Sequence, residues 1–373
     1  MPVQPFNPVG ILAGLAEQLG PRRATSTAEA VAAAQINARL RQAGFSVDTR
    51  SLPAVDHPGV RFRPVAVWLI AVTVLSGWLP VAGIVLVLWL VAVLCADALA
   101  TPLPVLRRQR MSQNIIAALP IAVTDIDKPS QPRWRLVIVA PLDTPPAWRG
   151  ISHLIAPTTE GLLIRLVFTS LPLVSATTAA WTIWQWSLLI VALLGAIGWL
   201  WATYRPIELM EPDGGIAALA ALLIAGHHLH GLRHVEVWAV TIGAAYCDQH
   251  GIKTLLTRYP FDPRNTFVIG LGPLACGQLA IISRDGVLRH ERADQFLYQL
   301  AMMADQTDPV IDLEPRTLAV RDELLAPFRQ RHFRTLSIRA IADSRYEYDP
   351  SLAERAARLI GAIARALDNE PER

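Results

Sequence analysis

Residues 136–143 read LVIVAPLD, and the reading of this stretch decides the fold. A strand buried on one face alternates apolar and polar residues. Arg135 to Ala140 (RLVIVA) is instead an unbroken apolar run after its first residue, the pattern of a central strand covered by helices on both faces. It leads into Pro141, Leu142 and Asp143, at the edge where a parallel sheet places its functional crevice.

On either side of this strand lies a block of chain without a charge. Residues 64–96 read PVAVWLIAVTVLSGWLPVAGIVLVLWLVAVLCA, and residues 166–202 are equally free of Asp, Glu, Lys and Arg. Each block is too long for one membrane helix of roughly 20 residues and suits two short ones. Breaks are expected at Gly77-Trp78-Leu79-Pro80 and across Thr182–Ser187. The reading is two inserted transmembrane helical hairpins, 64–99 and 162–204, the first short enough to be re-entrant. A pair of buried core helices is the alternative. Eight of the eleven tryptophans fall in these blocks, several near the expected span ends where an indole meets both headgroup and hydrocarbon. Arg61, Arg63, Arg107, Arg108 and Arg110 flank the first hairpin, and Arg149, Arg165 and Arg205 the second; the inner turns carry no Lys or Arg. The positive-inside rule then puts the polar segments and both termini in the cytoplasm of a bacterial-type plasma membrane, with an outward orientation as the alternative. The N-terminus lacks the basic and apolar regions of a signal peptide. With no charge inside either block, a proton or ion path has no candidate residue.

Residues 1–63, 104–160 and 206–373 are expected to form one discontinuous α/β domain. Pro8 opens a helix that Gly20 ends, and Ser26-Thr27-Ala28-Glu29 is a capping box for a second helix closed by Gly44. Strands are predicted at 45–52, 114–119, 135–140, 235–243, 266–271, 279–283 and 335–340, with helices over 214–230 and from Asp349-Pro350 onward. Strands alternating with helices predict a mixed, mostly parallel sheet covered on both faces.

Composition agrees. The chain has 373 residues, 52% hydrophobic and 17% charged, against about 25% charged in an ordinary soluble domain, which excludes a disordered chain. A net charge of +3 gives no case for nucleic acid. Cys95, Cys247 and Cys276 are scattered, which argues against a disulfide framework or a cysteine-rich zinc site.

Several segments together resemble the di-zinc aminopeptidases of metallopeptidase clan MH (peptidase family M-28 type). Leu19-Gly20-Pro21-Arg22 and residues 26–47 are similar to that family's opening helix and first strand. Ser112 to Ala117 (SQNIIA) resembles its second strand. LVIVAPLD falls where the family has a strand ending A-H-x-D, and Asp213 to Leu219 falls on D-N-x-x-G-x-A-x-L with a shortened loop. VTIGAAYCDQHG (240–251) falls on G-A-E-E-x-G-L-x-G, and FVIGLG (267–272) on the strand ending N-x-D.

The resemblance implies a zinc-exopeptidase-like fold, and it also implies a degenerate metal site. The first zinc-binding His falls on Pro141. The general base falls on Ala245 and the ligand Glu on Tyr246. The later Asp falls on Gly272, and no His occurs in Asp343-Ser344-Arg345-Tyr346. Asp213 alone matches a family ligand; Asp143 matches the residue that orients the missing His. A catalytic zinc needs about three protein ligands and an open position for water. No confident catalytic residue and no metal are therefore expected, and Asp143, Asp213 and Tyr246 are cleft remnants.

Three functions follow as expectations. The first is a membrane-anchored pseudoenzyme that keeps a cleft for a peptide, a lipid headgroup or a protein partner. The second is an active zinc peptidase with substituted ligands from Asp143, Asp213, Asp248, His250 and the histidines His227, His228 and His230. The third is a structural subunit of a membrane complex. The histidines read first as a helix end capped by Gly231. Cys247, Asp248 and His250 read first as an ordinary polar loop. GLGPLACG (270–277) lacks the GKS/T ending of a phosphate loop, and Asp125 and Asp127 beside Lys128 read as an exposed turn.

Overall fold

A computed structural model describes residues 8–99, 103–106, 108–121, 132–177, 182–212, 214–259, 261–341 and 348–370. Arg107, Asp125, Asp127, Lys128, Trp181, Asp213 and residues 343–346 lie outside the described residues.

The chain begins with helices α1 (Pro8–Gln18) and α2 (Thr27–Gln42), then strand β1 (Ser46–Ala54). The first hairpin follows as α3 (Arg63–Trp78) and α4 (Pro80–Leu99). Strands β2 (Arg110–Leu119) and β3 (Trp134–Pro141) precede the second hairpin, α5 (Thr159–Thr177) and α6 (Thr182–Ala202). Next come α7 (Gly214–His228), β4 (Val235–Ile242), α8 (His250–Arg258), β5 (Thr266–Leu271), β6 (Gln278–Asp285) and β7 (Glu291–Arg292). The chain closes with α9 (Gln295–Thr307), β8 (Glu314–Leu318), α10 (Ala326–Gln330), β9 (Arg334–Ile341) and α11 (Ser351–Asp368). Elements α8, α9, α10, β7 and β8 were not anticipated from the sequence.

Among the described residues nine strands form one mixed sheet in the order β1-β2-β4-β3-β5-β9-β6-β7, with β8 on β6. Its centre, β4-β3-β5-β9, is parallel. β1, β2, β6 and β7 join through antiparallel pairs, whereas β8 runs parallel to β6. The composition of β3 explains its central place. Leu136, Ile138 and Ala140 face one core with α7, α11, α1 and α2. Val137 and Val139 face the other, with Ile252 and Leu255 of α8 and Phe328 of α10. A run with no alternation therefore serves two cores at once. Helix α7 is buried from Gly214 to Gly226, so it too is apolar all round.

Among the described residues four helices are long and apolar enough to cross a membrane: Pro58–Trp78, in which a 3-10 turn leads into α3, then Pro80–Leu99, Thr159–Ala176 and Ile183–Ala202. The first break falls at Leu79 as expected. The second does not fall across Thr182–Ser187, because α6 is already under way at Thr182. Polar residues without Gly or Pro do not stop a helix. The four helices also run past the uncharged blocks. Arg63 begins α3, Asp97 lies in α4, and Glu160 and Arg165 lie in α5. Thus the expectation of charge-free spans is corrected at their ends, where Asp97 and Arg165 are buried.

Candidate functional site

The carboxyl ends of β3, β4, β5 and β9 converge on a cavity of about 200 Å³. Pro141 ends β3, Ala245 and Tyr246 follow β4, Gly272 follows β5, and Arg339 stands on β9; all of them line it. A wider groove of about 830 Å³ lies alongside and shares Pro146, Trp148 and Met210 with the cavity.

One wall is built on the turn after β4. Gly243 packs against Ser112 so closely that a Cβ there would overlap the serine hydroxyl. Ala244, at φ 51°, turns the next two N–H groups toward Asp143. The Asp143 carboxylate accepts them, from Ala245 at 2.9 Å and Tyr246 at 3.2 Å. Asp143 is 2% exposed, and its pKa is pushed up to about 7, first by burial and then by the charge of Glu29. Glu29 is itself raised by burial. Its carboxylate accepts N–H groups of Ala244 (2.8 Å) and Thr25 (2.6 Å) and the Ser112 hydroxyl (3.0 Å). The sequence showed Glu29 only as half of a capping box. Its second bond, to a loop more than two hundred residues away, has no local signal. Cys247 beside it is buried, and its thiol pKa is raised by burial and then by Asp143 and Glu29, the reverse of a reactive thiolate.

The opposite wall is the segment 320–324 with β9. Asp322 accepts the N–H groups of Leu324 (3.1 Å) and Leu325 (3.3 Å), the Ser337 hydroxyl (2.7 Å) and Arg339 Nη2 (3.4 Å). Burial alone would raise its pKa, but Arg339 and then Arg329 hold it below the ordinary carboxylate value. Arg339 lies directly over Gly272. A Cβ at Gly272 would be 2.9 Å from Arg339 Cβ and 3.0 Å from its Nε. The guanidinium therefore takes the space a side chain at 272 would need.

The same segment ties the cavity to the hairpins. Glu323 pairs with Arg61 at 2.7 Å, and Arg321 Nη1 donates to the Asp97 carbonyl at 3.1 Å. The Arg61 and Arg165 guanidinium groups lie 4.9 and 4.6 Å from the centroid of the buried Phe62 ring. A lone buried charge costs several kcal/mol, so such side chains persist at a helix end only with partners of this kind.

Of the residues expected at the site, Ala245 and Tyr246 line the cavity, whereas Asp143 lies behind them, held by their N–H groups and facing a separate small cavity. Asp213 lies outside the described residues, as do residues 343–346. The described members of the substituted-ligand set do not assemble. Asp248 pairs with Arg108 at 2.5 Å and accepts the His250 N–H at 3.2 Å. His227 and His228 lie at the far end of α7, about 20 Å from its start beside Pro273. Among the described residues no group of three His, Cys, Asp or Glu side chains is arranged to hold a metal. Pro141, Ala245, Tyr246 and Gly272 offer at most one phenol, which does not fit a zinc pair. Arg339, Arg321, Asp322 and Glu323 were missed. Arg339 reads in sequence as an ordinary strand residue, and its approach to Gly272 is set by strand order.

No protein-family model matches the sequence, and no curated protein matches it. Solved structures do match. A zinc aminopeptidase from Bacillus subtilis superposes with a TM-score of 0.53 at 10% identity, covering 96% of this chain and 94% of that one. A Zn-dependent exopeptidase from Parabacteroides distasonis gives 0.51 at 11%, covering 99% and 100%. A glutaminyl cyclase from Fimbriiglobus ruber gives 0.50 at 13%, covering 98% and 96%. The chain therefore has the mixed α/β fold of zinc exopeptidases; likeness at this identity speaks for the fold alone.

Proposed function

We propose that this chain is a membrane-anchored, aminopeptidase-like protein that has given up zinc and hydrolysis and uses the remaining cleft to bind a partner. One observation carries the reading: at the carboxyl edge of the sheet, Gly272 is covered by the Arg339 guanidinium, a fixed positive charge where a zinc site needs electron-pair donors. Pro141 and Ala245 add no donor. Without a metal-activated water or a general base, amide hydrolysis loses its nucleophile and a further factor of roughly 10²–10⁴ in rate.

Anchoring rests on the four apolar helices and on what they leave uncovered. Trp78, Val81 and Ile183 are 79%, 75% and 81% exposed, a surface that suits hydrocarbon better than water. The arginines at the helix ends favour the domain and both termini on the cytoplasmic side.

Metal analysis of detergent-purified protein, with an aminoacyl-coumarin assay on the same sample, tests the proposal. The expected result is zinc well below one ion per chain and no turnover. Two zinc per chain with turnover would overturn it.

A further inference from the structure

We infer that the cleft receives a single carboxylate carried on a small apolar body, and that Arg339 is the residue that binds it. The inference rests on the proposal above, in which the cleft binds without zinc.

Arg339 is only partly used. Nη2 reaches Asp322 at 3.4 Å, a long bond, and is the guanidinium's sole hydrogen bond among the described residues; Nε is buried over Gly272 without a partner. A guanidinium presents parallel N–H donors that match the two oxygens of a carboxylate. An anion in the cavity would meet the outer N–H groups of this guanidinium, which the long Asp322 bond does not use up.

Charge sets how much negative charge is admitted. Arg321 and Arg339 line the cavity with Asp322 and Glu323. Glu323 is taken up by Arg61, and Asp322 is held ionised beside Arg339. One further negative charge meets one incompletely paired guanidinium. A dianionic phosphate would face the Asp322 carboxylate at close range and is disfavoured.

Size and lining set the body. A cavity of about 200 Å³ is smaller than a drug-sized site and near the volume that holds one benzene-sized group. Pro141, Pro145, Pro157 and Pro273, with Trp148 and Tyr246, form much of its wall. Proline has no N–H and a fixed φ, so this wall is apolar and stiff before the ligand arrives. The neighbouring groove shares Pro146, Trp148 and Met210 with the cavity, so it lies within reach of anything attached to the bound group. An apolar amino acid blocked at its amine and the last residue of a peptide share this chemistry.

Calorimetric titration of the full chain in nanodiscs tests the inference with three probes: N-acetyl-L-leucine, N-acetyl-L-leucinamide and acetyl-Ala-Ala-Leu. The two carboxylates should bind about tenfold or more tighter than the amide. Arg339→Gln should abolish that preference, and Arg339→Lys should restore part of it. Tighter binding of the tripeptide supports the site as a reader of chain termini, and equal affinity supports it as a site for free acids. Equal affinity for acid and amide, no binding by any probe at millimolar concentration, or a full preference surviving in Arg339→Gln would overturn the inference. The wild-type acid–amide comparison stands even if the variant fails to fold. Zinc measured on the same samples separates the two ideas: zinc-free protein without the preference overturns this inference alone, and zinc-loaded protein overturns the proposal beneath it.

Discussion

On the β3–β4 wall of the cleft, Asp143 is buried against two backbone N–H groups, and the charge that acts most strongly on it is the like charge of Glu29. On the β9 wall, Asp322 is buried against Arg339 and Arg329 and also takes a hydroxyl and two N–H groups. Both carboxylates are almost fully enclosed. They differ in what offsets the loss of water. On one wall a proton does so, near neutral pH; on the other, two guanidinium groups do so at any ordinary pH. Burial alone does not fix a carboxylate's state, and the sign of its neighbours decides.

The contrast is broken most severely by Asp322→Ala. Arg339 and Arg329 would lose a charged partner, and two N–H groups and a hydroxyl their acceptor. A loss of about 3–5 kcal/mol is expected in denaturant unfolding of the domain in detergent.

Asp143→Asn sharpens it. An acid whose folded pKa lies above its unfolded value keeps a proton in the folded chain that the unfolded chain has released. Stability from it is full below the unfolded value and falls as pH rises through the folded one. For Asp143 that window runs from 3.8 to about 7. Between about pH 5 and pH 7, wild type should lose about 2–3 kcal/mol relative to Asp143→Asn. Melting curves of both proteins across that range would show it; parallel curves would refute the assignment.

The smallest effect is expected from Glu323→Gln, which asks whether the arginine-paired wall extends to the hairpins. The change leaves Arg61 with a neutral partner and should cost about 2 kcal/mol, with protease cleavage near Arg61 appearing earlier on heating.

Much of the fold was legible because its signals are local. RLVIVA needs no partner to be recognised as a central strand, and Ser26 caps α2 as its motif implies. The elements that escaped reading are short or exposed. β8 (Glu314–Leu318) shows no alternation and lies on the rim. α9 was readable in hindsight, since Asp294 caps it and Leu297, Leu300, Ala301 and Ala304 are buried at helical spacing. The site was half legible. Residues that abut a strand end in sequence, such as Pro141 and Tyr246, could be placed at the cavity. Arg339, Asp322 and the second role of Glu29 depend on which strand lies beside which, and that information is spread over the whole chain.

Gly272 and Arg339 make a lock with no single key. Any larger residue at 272 runs into the arginine, and removing the arginine alone strips Asp322 of a partner in its sealed wall. Either step taken by itself is harmful, so a side chain can enter at 272 only when both positions change together. Geometry of this kind yokes two distant positions, so that neither is free to drift without the other.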